Sequence, residues 1–257
     1  MTTPTNAVLP PLSPNGWLRW DVVSRLLPSE DGRRLDVLEV GCGQGGFGSR
    51  LAQRYHYLGI EPDPVSSAAA TVRLEQAGGD GEVRAGDISV VRPDETFDLV
   101  VAFEVIEHIE DDAGALASWV AHLRPGGWLL LSTPAWQKRF GAADEMVGHF
   151  RRYDPPVLEE RMAGAGLTEV ELVHFGAPLG YLLEAGRNAV GRRRLARPAA
   201  VGASMAERSD ASGRTLQPST SWTATAARLG TVPFRAVQRA FPGTGPGLVA
   251  RGRKAIA

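Results

Sequence analysis

"VLEVGCGQGGFG", residues 37–48, sets five glycines at the end of a short apolar run. The run LDVLEV reads as a buried strand and GGFGSRLAQR as the helix behind it, so the glycines form a strand-to-helix turn. Glycine there permits close approach of a ligand to the backbone, or dihedral angles that a side chain resists. A phosphate-binding P-loop needs a lysine and then a hydroxyl residue after the glycines; this turn has no lysine, which excludes that reading. The dinucleotide pattern is met: Gly41, Gly43 and Gly46 satisfy G-x-G-x-x-G, and Glu61 follows twenty residues after Gly41. Alone, that pattern specifies only a nucleoside-containing cofactor. Two features weigh against a pyrophosphate. Glu39 places a carboxylate just before the loop, where it suits a cationic ligand group instead, and the Gly41-x-Gly43-x-Gly45 spacing allows close approach without a phosphate.

Outward from the turn, strands and helices alternate. YLGIEPD reads as a second strand, PVSSAAATVRLEQAG as a helix opened by proline and closed by glycine, and GEVRAGDIS as a third strand and turn. FDLVVAFEVIEHI begins as a buried strand and runs into a loop. DDAGALASWVAHLRPGG predicts a helix stopped by Pro-Gly-Gly, WLLLSTPA a fifth strand, VLEERMAGAG a short helix and TEVELVHFG a further strand. Upstream, Trp17, Trp20, Val23 and Leu27 recur at helical spacing. The alternation predicts an α/β fold with a parallel sheet covered on both faces.

The ordered set VLEVGCGQG, GIEPD, AGDI, FDLVVAFEVIEHI and LRPGGWLLLSTPA resembles the class I S-adenosylmethionine-dependent methyltransferases, most closely their type 11 small-molecule group. The resemblance covers roughly residues 16–176. It implies a Rossmann-like, seven-stranded, mostly parallel sheet whose last strand, GLVARGRKA, inserts antiparallel beside the fifth and pairs with TEVELVHFG. It also implies S-adenosylmethionine as cofactor and S-adenosylhomocysteine as product. By the same resemblance Gly41, Cys42, Gly43 and Gly45 line the methionine and ribose portion, with Glu39 orienting the loop and the ligand's ammonium. Glu61 and the adjoining Pro62 stand at the ribose, Asp87 accepts from the adenine amino group, Ile88 packs on the ring, and Phe103 and Glu104 line the methionine end. Glu61 departs from the family's more frequent aspartate, which changes reach but not chemistry. Read without the resemblance, Asp87 is a turn former and Glu61 a solvated carboxylate.

The acceptor side is expected in GHFRRYD, residues 148–154, a loop that gathers titratable and aromatic groups and is similar to GH-x-R-x-Y runs of that group. His149 is a candidate general base or positioning donor, with Tyr153 and His108 as further catalytic candidates. Arg151 and Arg152 are candidates for an anionic part of the acceptor. The alternative is that Tyr153 and the arginines anchor the next helix, and that Glu107 and His108 hold the loop after the fourth strand. No metal ligand set is assigned.

The chain of 257 residues carries a net charge of −1, yet from Ala177 onward thirteen Lys/Arg stand against three acids. The expected organisation is a flexible N-terminus over 1–15, a methyltransferase core over 16–176, a basic cap over 177–246 with a mobile middle near 196–220, and the final strand over 247–257. Leu179, Leu182, Leu183 and Val190, followed by Arg192, Arg193 and Arg194, form either a solvated helix or a basic amphipathic one for an anionic membrane surface. The single cysteine excludes an internal disulfide. Neither a secretory leader nor a run of ~18 apolar residues is read, so a cytoplasmic protein, peripheral at a membrane at most, is expected. The expected acceptor is a small molecule or a lipid- or sugar-linked metabolite, methylated at oxygen, because AFEVIEH stands where amino-group methylases carry an NPPY-like signature. A nucleic-acid-associated methyltransferase using the basic region is the alternative, without a recognised binding motif to support it.

Overall fold

Seven strands build one sheet in the order β3-β2-β1-β4-β5-β7-β6. They are β1 (Asp36–Val40), β2 (His56–Glu61), β3 (Gly81–Ala85), β4 (Phe97–Phe103), β5 (Leu123–Pro134), β6 (Leu167–Phe175) and β7 (Gly247–Lys254). The computed structural model describes residues 8–29, 32–196 and 221–256. β1 pairs in parallel with both β2 and β4, and β4 with β5, whereas β7 runs antiparallel between β5 and β6. The last strand is therefore antiparallel and inserted between the fifth strand and TEVELVHFG, as expected; β3 and β6 are the edges.

The pleat sends alternate residues of β4 to opposite faces. Val100 and Ala102 join a core with Leu116 and Trp119 of α4 (Asp112–Ala121) and Leu158 and Met162 of α6 (Pro155–Gly164). Leu99 and Val101 join a second core with Leu18, Val22 and Leu26 of α1 (Pro14–Leu26). Strand order reverses between β1 and β4, so the carboxyl ends of those two strands open a crevice where α/β sheets take ligands.

Local signals set most helix starts. Ser13 Oγ accepts from the Gly16 amide (3.1 Å) with Pro14 at the first helical position. Asp63 does the same for α3 (Pro64–Gln76), accepting from Ser66 N at 3.1 Å. The helix behind the glycine turn, α2 (Gly48–Leu51), is a single turn.

Three expectations change. Helix α4 stops at Ala121, and Pro125, Gly126 and Gly127 belong to β5, where the register with β4 shifts between Phe97 and Leu99. The breaker triplet makes a bulge in a strand rather than the end of a helix. The buried face of α1 is Leu18, Val22, Val23 and Leu26, with Trp17 and Trp20 only partly buried beside it. Of the expected flexible start, residues 1–7 lie outside the described residues, while Leu12 is buried and Pro10 O accepts from Arg50 Nη2 (2.9 Å). The expected mobile middle, past Ala196, also lies outside them.

The basic region supplies α7 (Leu179–Leu195), α8 (Ser221–Gly230) and α9 (Val232–Ala240). α7 packs on α5 (Ala142–Val147): Asn188 Oδ1 accepts from Ala143 N at 2.9 Å. α8 and α9 clasp α1. Gln238 Nε2 donates to Leu18 O (2.8 Å) and Asp21 Oδ2 (3.0 Å), Arg239 pairs with Asp21, and Arg228 and Arg235 lie 5.8 and 5.6 Å from the Trp17 ring centroid.

Candidate active site

The crevice opens into a cavity of about 1280 Å³ that runs from the glycine turn to α5 and α7. Its first end is built from the carboxyl ends of β1 and β2. Gly41, Gly43 and Gly45 all hold positive φ (67°, 55° and 76°). A Cβ on Gly43 would meet nothing within 4 Å, whereas one on Gly45 would lie 3.0 Å from the Ala70 backbone. The turn thus combines an open face with a close helix contact. Glu61 ends β2 with its carboxylate clamped by two amides: Gly43 N donates to Oε2 at 2.8 Å and Asp63 N to Oε1 at 2.9 Å. An oxygen accepts more than one bond, so a carboxylate held this way still presents acceptor capacity to the cavity it lines. Cys42 N donates to Ile60 O (3.0 Å), which ties the turn to β2.

Glu39 is buried beneath the turn and accepts from Tyr57 Oη at 2.6 Å. Burial pushes its carboxyl up to about 8, against the opposing Tyr57 bond. Asp87 caps the short turn Ile88–Val90, its Oδ1 accepting from Ser89 N (3.0 Å) and Ser89 Oγ (2.6 Å); those bonds lower its pKa. Asp87 is therefore a turn former and a cavity residue at once, together with Pro62 and Ile88. Phe103 packs edge-on against Phe47, centroids 5.0 Å apart. Glu104 leaves β4 at φ 58°, a strained conformation for this residue type, held by its amide on Ser132 O (2.8 Å) and its Oε1 on Ser132 Oγ (3.1 Å). Arg19 approaches the same oxygen at 3.4 Å.

The other end brings together segments far apart in sequence. His108 and His149 meet edge to face with ring centroids 4.6 Å apart. His149 Nδ1 lies 2.8 Å from Asp144 Oδ1, and His149 Nε2 faces Glu107 Oε1 at 3.9 Å. Glu107 is fully buried and neither carboxylate oxygen has a hydrogen-bond partner. Burial, reinforced by Glu104, raises its pKa well above the carboxylate range. Burial, with His149 beside it, pulls His108 down to about 3, so its imidazole is neutral. Burial alone would raise Asp144, but bonds from His149 and Arg152 outweigh it and hold the carboxyl at about 2.

The GHFRRYD residues divide. His149 and Arg152 line the cavity; Arg151 and Tyr153 do not. Tyr153 is buried with its hydroxyl donating to Asp112 Oδ2 (2.9 Å), and Arg151 Nη1 reaches the same oxygen at 2.8 Å. Both bond to the start of α4 rather than to the helix that follows the loop, and the structure places neither the expected catalytic Tyr153 nor the expected acceptor-binding Arg151 at the cavity. Arg152 is buried in ion pairs with Asp144 (2.8 Å) and Glu184 (2.7 Å). Its guanidinium is committed to holding those acids, and through Asp144 it supports His149.

Sequence reasoning missed Arg187. It stands one turn past Glu184 on α7 and lines the cavity, where burial lowers its pKa despite the fields of Glu104, Glu184 and Asp144. The apolar spacing of α7 drew attention to Leu182, Leu183 and Val190; these also border the cavity, with Leu182 and Val190 exposed at its rim. Among the described residues, no helix is long and apolar enough to cross a membrane.

Comparison with known proteins agrees with this geometry. Residues 17–172 match the family described as a methyltransferase domain. A probable S-adenosylmethionine-dependent methyltransferase of Mycolicibacterium smegmatis is 30% identical over 182 residues, 63% of this chain and 69% of that protein. A ubiquinone biosynthesis O-methyltransferase of Methylobacterium sp. (strain 4-46) is 38% identical over 101 residues, 38% of this chain; the match spans only 41% of that relative's length. The solved N-methyltransferase NodS of Bradyrhizobium japonicum, in complex with S-adenosyl-L-homocysteine, shares the fold at TM-score 0.52 and 20% identity, over 94% of this chain and 85% of that one. This chain belongs to the methyltransferase-domain family of S-adenosylmethionine-dependent enzymes.

Proposed function

We propose that this member of the methyltransferase family transfers the methyl group of S-adenosylmethionine to an oxygen of a small acceptor that carries an anionic group. One observation carries the reading: a single cavity joins the amide-clamped Glu61 at one end to His108, His149 and Arg187 at the other, with Glu107 buried directly behind the two histidines. The names of relatives such as the ubiquinone biosynthesis O-methyltransferase support transfer to oxygen.

The first end fits the cofactor. The open face of Gly43 leaves room where a side chain would intrude, and the Glu61 carboxylate suits a vicinal ribose diol, accepting a bond at each oxygen. Asp87 and Ile88 take the adenine, with Pro62 beside the ribose. Gly41, Cys42, Phe103 and Glu104 border the methionine portion, whose ammonium approaches Glu39 and favours that residue's ionised form. Bound cofactor supplies a methyl carbon on a positive sulfonium, already activated toward displacement. What remains for the chain is alignment and proton removal. The acceptor oxygen forms its bond to the methyl carbon as the carbon–sulfur bond breaks with its electron pair to sulfur. Arg187 binds the acceptor's anionic group. The cluster of Glu107, His108 and His149 surrounds the hydroxyl that loses its proton. The α7 helix, with Leu183 and Arg187 on its cavity side, covers this end as a cap.

The nucleic-acid alternative is less well supported. Part of the basic excess is engaged internally, on Trp17 and Asp21 of α1 and in the cavity.

The test is transfer of tritiated methyl to a panel of hydroxy acids, phosphorylated alcohols, amines and RNA. Label in ethers or esters of anionic hydroxyl acceptors is expected; label confined to amines or RNA would overturn the reading. In Arg187→Ala, acceptor KM is expected to rise about 10- to 100-fold, the worth of a charge-assisted contact, with a smaller change in kcat.

A further inference from the structure

Proton removal alone does not account for the way Glu107, His108 and His149 are held. The ligand-capable atoms of Glu107, His108 and His149 all lie within 4.8 Å of one another. Glu107 is sealed from solvent, and both of its oxygens lack a hydrogen-bond partner. A carboxyl group left that way costs free energy unless something compensates it. The adjoining Thr133 hydroxyl acts on the Glu107 carboxyl only weakly: it makes no hydrogen bond of normal geometry, and its effect is outweighed by burial.

Each histidine is also held from behind. Asp144 lies 2.8 Å from His149 Nδ1, which turns Nε2 toward Glu107. The Gly148 carbonyl takes a bond from the His108 ring. Carboxylate and carbonyl partners of this kind fix the tautomer of a metal-binding imidazole and aim its other nitrogen at the ion. The Arg152 pairs then lock Asp144 in place.

From these features we propose that Glu107, His108 and His149 bind a divalent transition-metal ion that takes the acceptor oxygen as a further ligand. Two imidazoles and one carboxylate suit Zn²⁺, Mn²⁺, Fe²⁺ or Co²⁺ and leave coordination positions open. Metal–ligand distances of about 2.0–2.2 Å put ligands on opposite sides of an ion roughly 4 Å apart, so the cluster needs only a small contraction to close on one. The cavity reaches His108 and His149, so the open positions face the space assigned to the acceptor. An acceptor hydroxyl bound there ionises more readily, as metal-bound water does. Its O–H bond breaks with the proton passing to cavity water, and the resulting oxyanion attacks the methyl carbon. The proposal rests on the oxygen-acceptor reading for its catalytic consequence, but not for the existence of the site.

Titration of the full chain, dialysed against chelator, with Co²⁺ alone tests it, read by calorimetry and by visible d–d absorption. One ion per chain with imidazole-type bands is expected. Glu107→Gln and His149→Ala are each expected to weaken binding at least about tenfold, and Asp144→Asn by less, as for a supporting partner. Binding of S-adenosylhomocysteine at the distant end reports that each variant is folded. Absence of Co²⁺ binding to the wild-type chain, or binding unchanged in both ligand variants, would overturn the proposal. If Co²⁺ binds as expected but only amines accept methyl, the metal site stands and the oxygen-acceptor reading fails.

Discussion

The two ends of the cavity are made by different means. The cofactor end is local: residues 39–63 supply the turn, its buried carboxylate and the clamped Glu61, and most of its bonds run to the backbone. The acceptor end is assembled from the loop after β4, from α5 with the extended segment behind it, and from α7, and its bonds run between side chains. A backbone-built site depends on dihedral angles and close approach. A side-chain-built site depends on charges being paired where water is excluded. Damage to one end should therefore leave the other measurable.

The largest effect is expected at Arg152. Removing it by Arg152→Met leaves Asp144 only His149 and the Gly141 amide, and Glu184 only its Arg139 partner (2.7 Å), and breaking a buried ion pair costs about 3–5 kcal/mol. Thermal unfolding should show that loss, while the protein that remains folded still binds S-adenosylhomocysteine in calorimetry. Equal loss of cofactor binding would break the separation of the two ends.

Gly45→Val makes the converse cut. Positive φ and a Cβ at 3.0 Å from the Ala70 backbone predict a cost of about 2–4 kcal/mol, with cofactor binding abolished. Co²⁺ binding at the far end should survive in the folded fraction.

A smaller effect is linked to pH through Glu39. Its surroundings are Tyr57 and Glu61 on β2, Cys42 in the turn and Arg19 on α1. With its carboxyl at about 8, Glu39 is protonated at neutral pH before the ligand's ammonium arrives, and binding expels that proton. Affinity for S-adenosylhomocysteine should therefore rise with pH up to about 8, approaching tenfold per unit, and the slope should vanish in Glu39→Gln. The sign for stability is opposite. A carboxyl raised in the folded state stabilises it fully below the unfolded value of 4.5, and that contribution is lost as pH climbs through about 8. Glu39→Gln should accordingly unfold at a higher temperature than wild type at pH 8.

Arg151 gives the smallest change. Its pair with Asp112 lies outside the cavity and is partly solvated, so Arg151→Ala should cost under about 1 kcal/mol and leave acceptor KM unaltered. A shift in KM would return Arg151 to the acceptor end.

Much of this architecture was legible in the residue order. The glycine turn, Glu39, Glu61 and Asp87 sit where motif and strand ends place them, because glycines, caps and alternating apolar residues act over a few positions of chain. The same local reasoning misjudged LRPGG, since a breaker triplet stops a helix or bulges a strand, and only pairing with β4 decides between them. It also left Arg151, Arg152 and Tyr153 as equals. In the extended backbone that pairs Tyr153 with Ala135, side chains alternate, so Arg152 turns inward to Asp144 while Arg151 and Tyr153 both reach Asp112 on the other side. Arg187 carried no signal beyond a helical spacing.

The sequence by itself thus determined the fold class, the family and the seat of the cofactor, because a ligand gripped by backbone is encoded in a contiguous stretch. The tertiary structure decided which acids and bases face one another at the acceptor end. Glu107, Asp144, His149 and Glu184 become neighbours only when α5 and α7 close over the sheet, and the burial that follows holds Asp144 between His149 and Arg152 and Glu184 against Arg152.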